Sequence, residues 1–237
     1  MKKKILLGLT TISRGLWKDK IKEIDRLGLK EIALFPTCLK PKERKLLYKL
    51  LERTGIKSIP HVHIRVQDFS SFELDYLVSK FKTKVFNIHN HDRAKDFLEK
   101  NKKYSQIIFL ENTFSYKNFA KILKLCGGIC LDLSHYEDHA NVMKPKEYEM
   151  FSKLLKVYKI GVNHISAISK KIEVYHDDFS GKDYHGRNTH WFSELNEFDY
   201  VKKYKKYLAD IISIELENPL KQQLEVKRYL EKILDLY

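Results

Sequence analysis

The sequence predicts an α/β chain folded as a closed (β/α)8 barrel, a single domain over residues 1–237. Three observations carry this expectation. Short β-branched apolar runs alternate with segments whose apolar residues recur at spacings of three and four, the pattern of successive β/α units. Strand starts recur at roughly 21 to 33 residues through the first seven units, about the length of one such unit. The first strand is followed by Gly8-Leu-Thr-Thr-Ile in place of a glycine-rich nucleotide fingerprint, which argues against an open doubly wound sheet.

In chain order, the first strand is Ile5–Leu9, followed by a helical stripe of Trp17, Ile21, Ile24 and Leu27 that Gly28 is placed to cap. The second strand is Glu31–Phe35, and Leu46, Leu47, Leu50 and Leu51 mark the next helix, with Gly55 at its expected end. Strands then fall at Ser58–His63, Val85–His89, Ile107–Glu111, Gly128–Asp132 and Gly161–Ile165. Tyr148, Phe151, Leu154, Leu155 and Tyr158 form the helical stripe before the seventh strand. A long polar loop insert at about 167–197 separates the seventh strand from the eighth, Ile211–Glu215, and a last helix covers Leu220 to Leu234.

Composition narrows the class. At 43% apolar the chain can bury a full core and is too apolar for a disordered one. No stretch approaches the roughly 18 apolar residues of a membrane span. The opening Met1-Lys-Lys-Lys-Ile-Leu-Leu meets Thr10 and Thr11 too soon for a signal peptide and reads as a strand. With three cysteines and no such signal, a disulfide framework is not expected and the compartment reads as cytoplasmic. The formal charge is +14, yet only eight of the 45 basic residues are Arg, and the lysines spread over every helix. A solvated lysine surface accounts for that as well as a nucleic-acid footprint does.

In such barrels chemistry sits at the C-terminal ends of the strands. From the third strand to the eighth, every end carries a metal-ligand side chain: His61 and His63, His89 and His91, Glu111, Asp132 and His135, His164, then Glu215 and Glu217. The insert adds Asp177, Asp178, Asp183, His185 and His190. Any one of these has a structural explanation as a helix cap or hydrogen-bonded imidazole. Six consecutive strand ends do not, because carboxylates clustered in a barrel mouth repel one another unless a cation compensates them. Mixed imidazole and carboxylate donors suit Zn²⁺, Mn²⁺ or Co²⁺ better than Ca²⁺, with Mg²⁺ also in the expected range.

The motifs Pro60-His61, Asn87-Ile-His89, Glu111-Asn-Thr113, Gly128-Ile-Cys-Leu-Asp132-Leu-Ser-His135 and Ser213-Ile-Glu215, in this order and spacing, resemble the xylose isomerase-like superfamily of TIM barrels, which includes endonuclease IV. The resemblance covers nearly the whole chain. It implies one divalent metal held by Glu111, Asp132, His164 and Glu215, with Glu217 the alternative ligand on the eighth strand. It further implies that Glu111 and Glu215 move a proton between neighbouring carbons of a sugar, sugar phosphate or related polyol, in an isomerase or epimerase reaction. The endonuclease IV pattern adds His61, His89, His135, Asp183 and His185 as ligands to three zinc ions, and implies cleavage of DNA beside an abasic site.

The chain departs from both patterns. His164 is followed by Ile-Ser where x-Asp is frequent, and Gly186-Arg-Asn-Thr-His190 replaces a glycine-rich turn. No aromatic after His61 is positioned to enter a duplex. The first departure motivates a third expectation, a barrel that keeps a metal without catalysing this chemistry. His63 and Arg187 are expected substrate contacts, Arg187 for a phosphate or carboxylate. His139 and His176 read as surface residues, Cys130 as core, and Tyr200, Tyr204, Tyr207 and Tyr229 as helix packing.

Overall fold

A computed structural model describes residues 3–11, 17–113, 116, 118–142, 145–177 and 182–236. Within these, the side chains of 139–142, 145, 146, 173, 175–177 and 182–184 lie outside the description. The barrel strands are β1 (Lys4–Leu6), β2 (Gly8–Thr10), β3 (Glu31–Phe35), β4 (Ser58–His63), β5 (Val85–His89), β6 (Ile108–Glu111), β7 (Ile129–Asp132), β8 (Ile160–Ile165) and β11 (Ile211–Ile214). Between them run α1 (Trp17–Arg26), α2 (Pro41–Leu51), α3 (Ser71–Phe81), α4 (Ala94–Lys100), α5 (Phe119–Leu123), α6 (Leu133–Val142) and α7 (Pro145–Val157), and α8 (Leu220–Ile233) closes the order. The nine strands form one parallel sheet in the order β1-β11-β8-β7-β6-β5-β4-β3-β2. Its two end strands are consecutive halves of one stave, so the sheet is a closed eight-stave TIM barrel.

The first expected strand is therefore split, and the split makes closure. β1 pairs with β11 and β2 with β3, the chain changing neighbours at Leu7. Gly8 stands at the change. A Cβ there would lie 2.0 Å from the Ile214 carbonyl oxygen, so only glycine allows the two edges to approach. The buried Gln223 of α8 completes the seam. Its Oε1 accepts from the Gly8 N–H at 2.8 Å and its Nε2 donates to the Gly8 carbonyl at 3.0 Å. Lys20 of α1, also buried, donates to Thr10 Oγ1 and to the Leu216 carbonyl across the same seam.

The helices present the expected stripes to the barrel, with Trp17, Ile21 and Ile24 of α1 and Leu220, Val226 and Leu230 of α8 all buried. Gly28, at φ 64, caps α1, and the Leu29 N–H donates to the Ile24 carbonyl. Gly55 does not cap α2. That helix already ends at Leu51, and the Gly55 N–H donates to Asp25 Oδ1. Ser70 caps α3 with a reciprocal Glu73 bond. Among the described residues no helix is long and apolar enough to cross a membrane.

The insert after the seventh stave is not a loop. It contains an antiparallel hairpin of β9 (Ala167–Asp177) and β10 (Lys182–Thr189), then a 3-10 run at Leu195–Tyr207. The hairpin is anchored on α6 through Asp138, whose Oδ2 accepts from the Arg187 N–H at 2.9 Å. A Cβ on Gly186 would lie 2.5 Å from that oxygen, which is how closely β10 lies on the helix.

Inside the staves, Val85, Phe109, Cys130 and Val162 form one apolar cluster and Leu6, Ala33 and Phe35 another, both touching Ile211. Strand alternation puts Glu111, Asp132 and His164 on the same inward faces two residues beyond Phe109, Cys130 and Val162. The barrel axis is thus plugged with apolar side chains directly below its polar mouth. Gly8→Ala is expected to lower stability by about 1–3 kcal/mol, since the clash is with backbone that cannot move aside. Thermal unfolding checks this, and an unchanged midpoint would contradict the seam.

Candidate metal centre

Glu111 at the end of β6 is buried, and four imidazoles surround its carboxylate. Its Oε2 lies 3.6 Å from both His63 Nε2 and His164 Nδ1, and its Oε1 lies 3.7 Å from His89 Nε2 and 3.9 Å from His135 Nδ1. Glu215, just past β11, reaches His164 Nδ1 at 3.0 Å and His63 Nδ1 at 3.9 Å. Asp132 Oδ2 lies 3.9 Å from both His164 and His135. Two donors bound to one ion at about 2.1 Å stand about 3.0–3.5 Å apart, so the His164–Glu215 spacing fits a coordinated pair and the others are slightly wider.

Several of these atoms lack another partner: His63 Nδ1, His164 Nε2 and Asp132 Oδ2 are buried without a hydrogen bond, and His164 Nδ1 meets carboxylate oxygens of the cluster, Glu215 Oε2 nearest at 3.0 Å. Such atoms are costly to bury unless something charged meets them. The donor set of neutral-capable imidazoles and carboxylates fits a divalent cation. Four overlapping groups have ligand atoms close enough for one: His63, His164 and Glu215; His63, His89 and Glu111; Glu111, Cys130 and His164; and Glu111, Asp132 and His135.

Neighbouring residues aim these ligands. Asp132 Oδ1 accepts from Ser134 Oγ at 2.6 Å and from the His135 N–H at 2.8 Å, at the start of α6, which leaves Oδ2 toward the cluster. Asn112 clamps the Asp132 backbone, its Oδ1 accepting the Asp132 N–H at 2.7 Å and its Nδ2 donating to the Asp132 carbonyl at 2.9 Å. Asn112 also accepts His135 Nδ1–H on its own carbonyl at 3.1 Å. Phe35 walls the imidazoles, edge-on to His61, His63 and His164.

His61, expected as a ligand, stands outside the ligand groups. Both its nitrogens are used, Nδ1 at 2.8 Å from Ser213 Oγ and Nε2 at 2.8 Å from Asn87 Oδ1. Asn87 Nδ2 in turn donates to Glu111 Oε2 at 2.5 Å. An amide that donates to a carboxylate presents its oxygen to His61, so His61 carries its proton on Nε2 and accepts from Ser213 on Nδ1. Burial pushes its pKa down to about 3, in keeping with this neutral form. The result is a directed chain, Ser213 to His61 to Asn87 to Glu111, that fixes one oxygen of Glu111. His63, expected as a substrate contact, belongs to two of the groups whose ligand atoms lie close enough for one ion. Burial first, and then His89 and His164, hold it well below the usual imidazole range, so it is a neutral donor.

The other expected residues are placed as follows. His89 is half-exposed at the rim. His185 is exposed on β10 and in no ligand group of the described residues, and the Asp183 side chain lies outside them. The Arg187 guanidinium faces Asp138, Nε to Oδ1 at 3.7 Å. Glu217 follows the strand's end, where alternation no longer applies. Its charge acts on Lys20, whose pKa burial lowers to about 7. Ser166, in place of the frequent Asp, donates to the Glu215 carbonyl at 3.0 Å. The expectations for His139 and His176 fall outside the described side chains. Sequence reasoning did not single out Asn87 or Ser213 for roles, nor Phe35, and it left His190 unassigned although its charge helps hold Glu215 low.

Burial and neighbouring charges set how the cluster holds its own protons. Burial, reinforced by Glu215 and Asp132 and opposed by His164, pushes Glu111 up to about 8. Burial works against the charged form of His164, but Cys130, Glu111 and Glu215 hold it well above the imidazole range. Burial would raise Glu215, yet His164, by its charge and its hydrogen bond, keeps it well below the carboxylate range.

No family model matches the chain, and no curated protein matches it in sequence. Solved structures do. A xylose isomerase-like TIM barrel protein from Mycobacterium smegmatis, in complex with magnesium, superposes with a TM-score of 0.50 at 13% identity, covering 97% of this chain and 96% of that one. Phospho-2-dehydro-3-deoxyheptonate aldolase from Thermotoga maritima gives 0.49 at 12% identity, covering 99% of this chain and 69% of that one. At 13% identity, the likeness to the Mycobacterium smegmatis protein shows the TIM-barrel fold alone.

Two outcomes are expected of the metal-free protein. A divalent cation must displace the protons of Glu111 and His164, so binding at pH 7 should release about one to two protons, and apparent affinity should fall as pH drops below about 8. Calorimetry in buffers of different ionisation enthalpy counts those protons, and zero release would contradict the charge assignment. Asn87→Ala should weaken metal binding by about 10-fold or more although it removes no ligand. Affinity equal to wild type would sink the chain from Ser213 to Glu111.

Proposed function

We propose that the protein is a divalent-metal-dependent isomerase or epimerase of a sugar, sugar phosphate or related polyol. The observation that carries this reading is the convergence of Glu111, Asp132, His164 and Glu215, with His63, as buried and largely unsatisfied ligand atoms at the barrel mouth. These residues would hold the cation, Zn²⁺, Mn²⁺, Co²⁺ or Mg²⁺, which when bound polarises a substrate carbonyl and hydroxyl.

The chain's own groups supply the rest. Glu111 and Glu215 stand on either side of His63, each facing one of its ring nitrogens. Asn87 fixes Oε2 of Glu111, leaving Oε1 to carry a proton. One glutamate takes the proton from a carbon beside the carbonyl, and the other returns a proton at the neighbouring carbon. Phe35 and the apolar plug beneath keep bulk water from the axis of the barrel.

A second reading, an abasic-site endonuclease or related phosphodiesterase acting on DNA, draws support from Glu111 belonging to three ligand groups, more than one ion needs. Against it, His61 has both nitrogens committed elsewhere and leaves that three-zinc set short of a ligand.

Metal stoichiometry, by mass spectrometry on protein purified without chelator, separates the two. About one exchangeable ion per chain is expected, together with incorporation of solvent hydrogen into a sugar substrate. About three zinc ions, with DNA affinity falling steeply in salt, would favour the phosphodiesterase instead. Glu111→Ala, Asp132→Ala and His164→Ala should each abolish metal binding and activity. Full occupancy in all three would remove the centre.

A further inference from the structure

We infer that a concavity beside the barrel mouth, between α4 and α5, is an anion subsite that takes the phosphoryl group of a phosphorylated substrate. The cavity measures about 500 Å³. Lys95, Lys121 and Lys124 line it with Asn90, His91 and Asn118, over an apolar side formed by Ile122 and Leu125.

Charge is the first argument. Three lysines face the space against one carboxylate, Asp92. Among the described residues Lys121 and Lys124 make no ion pair, and Lys95 meets only the exposed Glu99 at 3.8 Å, a contact that binds it weakly. The three exposed side chains line one concave volume, and an anion entering it relieves their mutual repulsion.

Donor geometry is the second. His91 Nδ1 accepts the Arg93 N–H at 3.1 Å, so the neutral ring carries its proton on Nε2 and offers a fixed donor. Asn118, held at φ 59 ahead of α5, adds a side-chain amide. The third is position. His91 follows the rim residue His89 by two residues, a reach of at most about 7 Å, so one wall of the cavity adjoins the barrel mouth. The volume is large enough for a phosphoryl group and a few carbons.

The substrate assignment rests on the isomerase reading, but the anion site does not, and the test keeps them apart. Inorganic phosphate is titrated calorimetrically into metal-stripped full-length protein at low salt. Lys121→Glu with Lys124→Glu should weaken binding about tenfold or more, whereas Lys45→Glu with Lys49→Glu, on the exposed face of α2, should leave it within about twofold. Glu111→Gln should retain phosphate affinity while losing metal. Equal weakening by both lysine pairs, or none by the first, overturns the subsite. Loss of phosphate binding in Glu111→Gln assigns the anion to the cluster and overturns it as well. A short single-stranded oligonucleotide that displaces phosphate more tightly than a sugar phosphate does would overturn the phosphomonoester assignment.

Discussion

Charge neutrality in a dry barrel mouth is the constraint on which the architecture turns. Glu111, Asp132, His164 and Glu215 are all buried, and removing an ion from water costs several kcal/mol unless a partner compensates it. Without a metal the chain meets this cost with protons, keeping one on His164 against Glu215 and one on Glu111. Asp132 meets it with hydrogen bonds at the start of α6. A divalent cation held there, as proposed, would supply the compensation that those protons give.

That arrangement needs every ligand held at one height, and parallel register supplies it. His89 pairs in register with Glu111, and Asp132 with His164, so neighbouring staves deliver their side chains side by side. The level beneath differs in kind. Phe109, Cys130 and Val162 close the axis, and His61 and Asn87 form a polar thread through that level without exposing a free ionisable group. His61 and His63 sit two residues apart on one strand face and have opposite duties: the deeper ring spends both nitrogens on orientation, the shallower one keeps a nitrogen for a ligand.

Much of this was legible in the residues. β3, β4 and β5 match their expected bounds, because β3 is stopped by Pro36 and the apolar runs of β4 and β5 end in His63 and His89. The run of polar strand ends brought Glu111, Asp132 and His164 to notice, and the resemblance to xylose isomerase-like barrels grouped them as one set. Depth along the axis has no such signature. Nothing in the spacing distinguishes His61 from His63, and the answer depends on Ser213 and Asn87, short polar residues from strands distant in sequence. The split at Gly8 was hidden because a single glycine inside an apolar run does not reveal which neighbour the chain will pair with. The hairpin at Ala167–Thr189 escaped because its charged residues mask the alternation of Ile168, Ile172 and Val174, two of which remain exposed. Glu217 was assigned a strand face that ends three residues before it.

The seam between β1 and β11 also has a kinetic meaning. Lys4 pairs with Ile211, and Gly8 is bound by Gln223, so the closing contacts join segments about 200 residues apart. During vectorial synthesis the first stave emerges from the ribosome long before its partner exists. An incomplete barrel must then wait with an unpaired apolar edge, the kind of surface that chaperones recognise and that aggregates when left alone. Glu215 belongs to that late segment, so a nascent chain cannot assemble the full ligand set, and cannot trap a metal ion in it, before the barrel is able to shut.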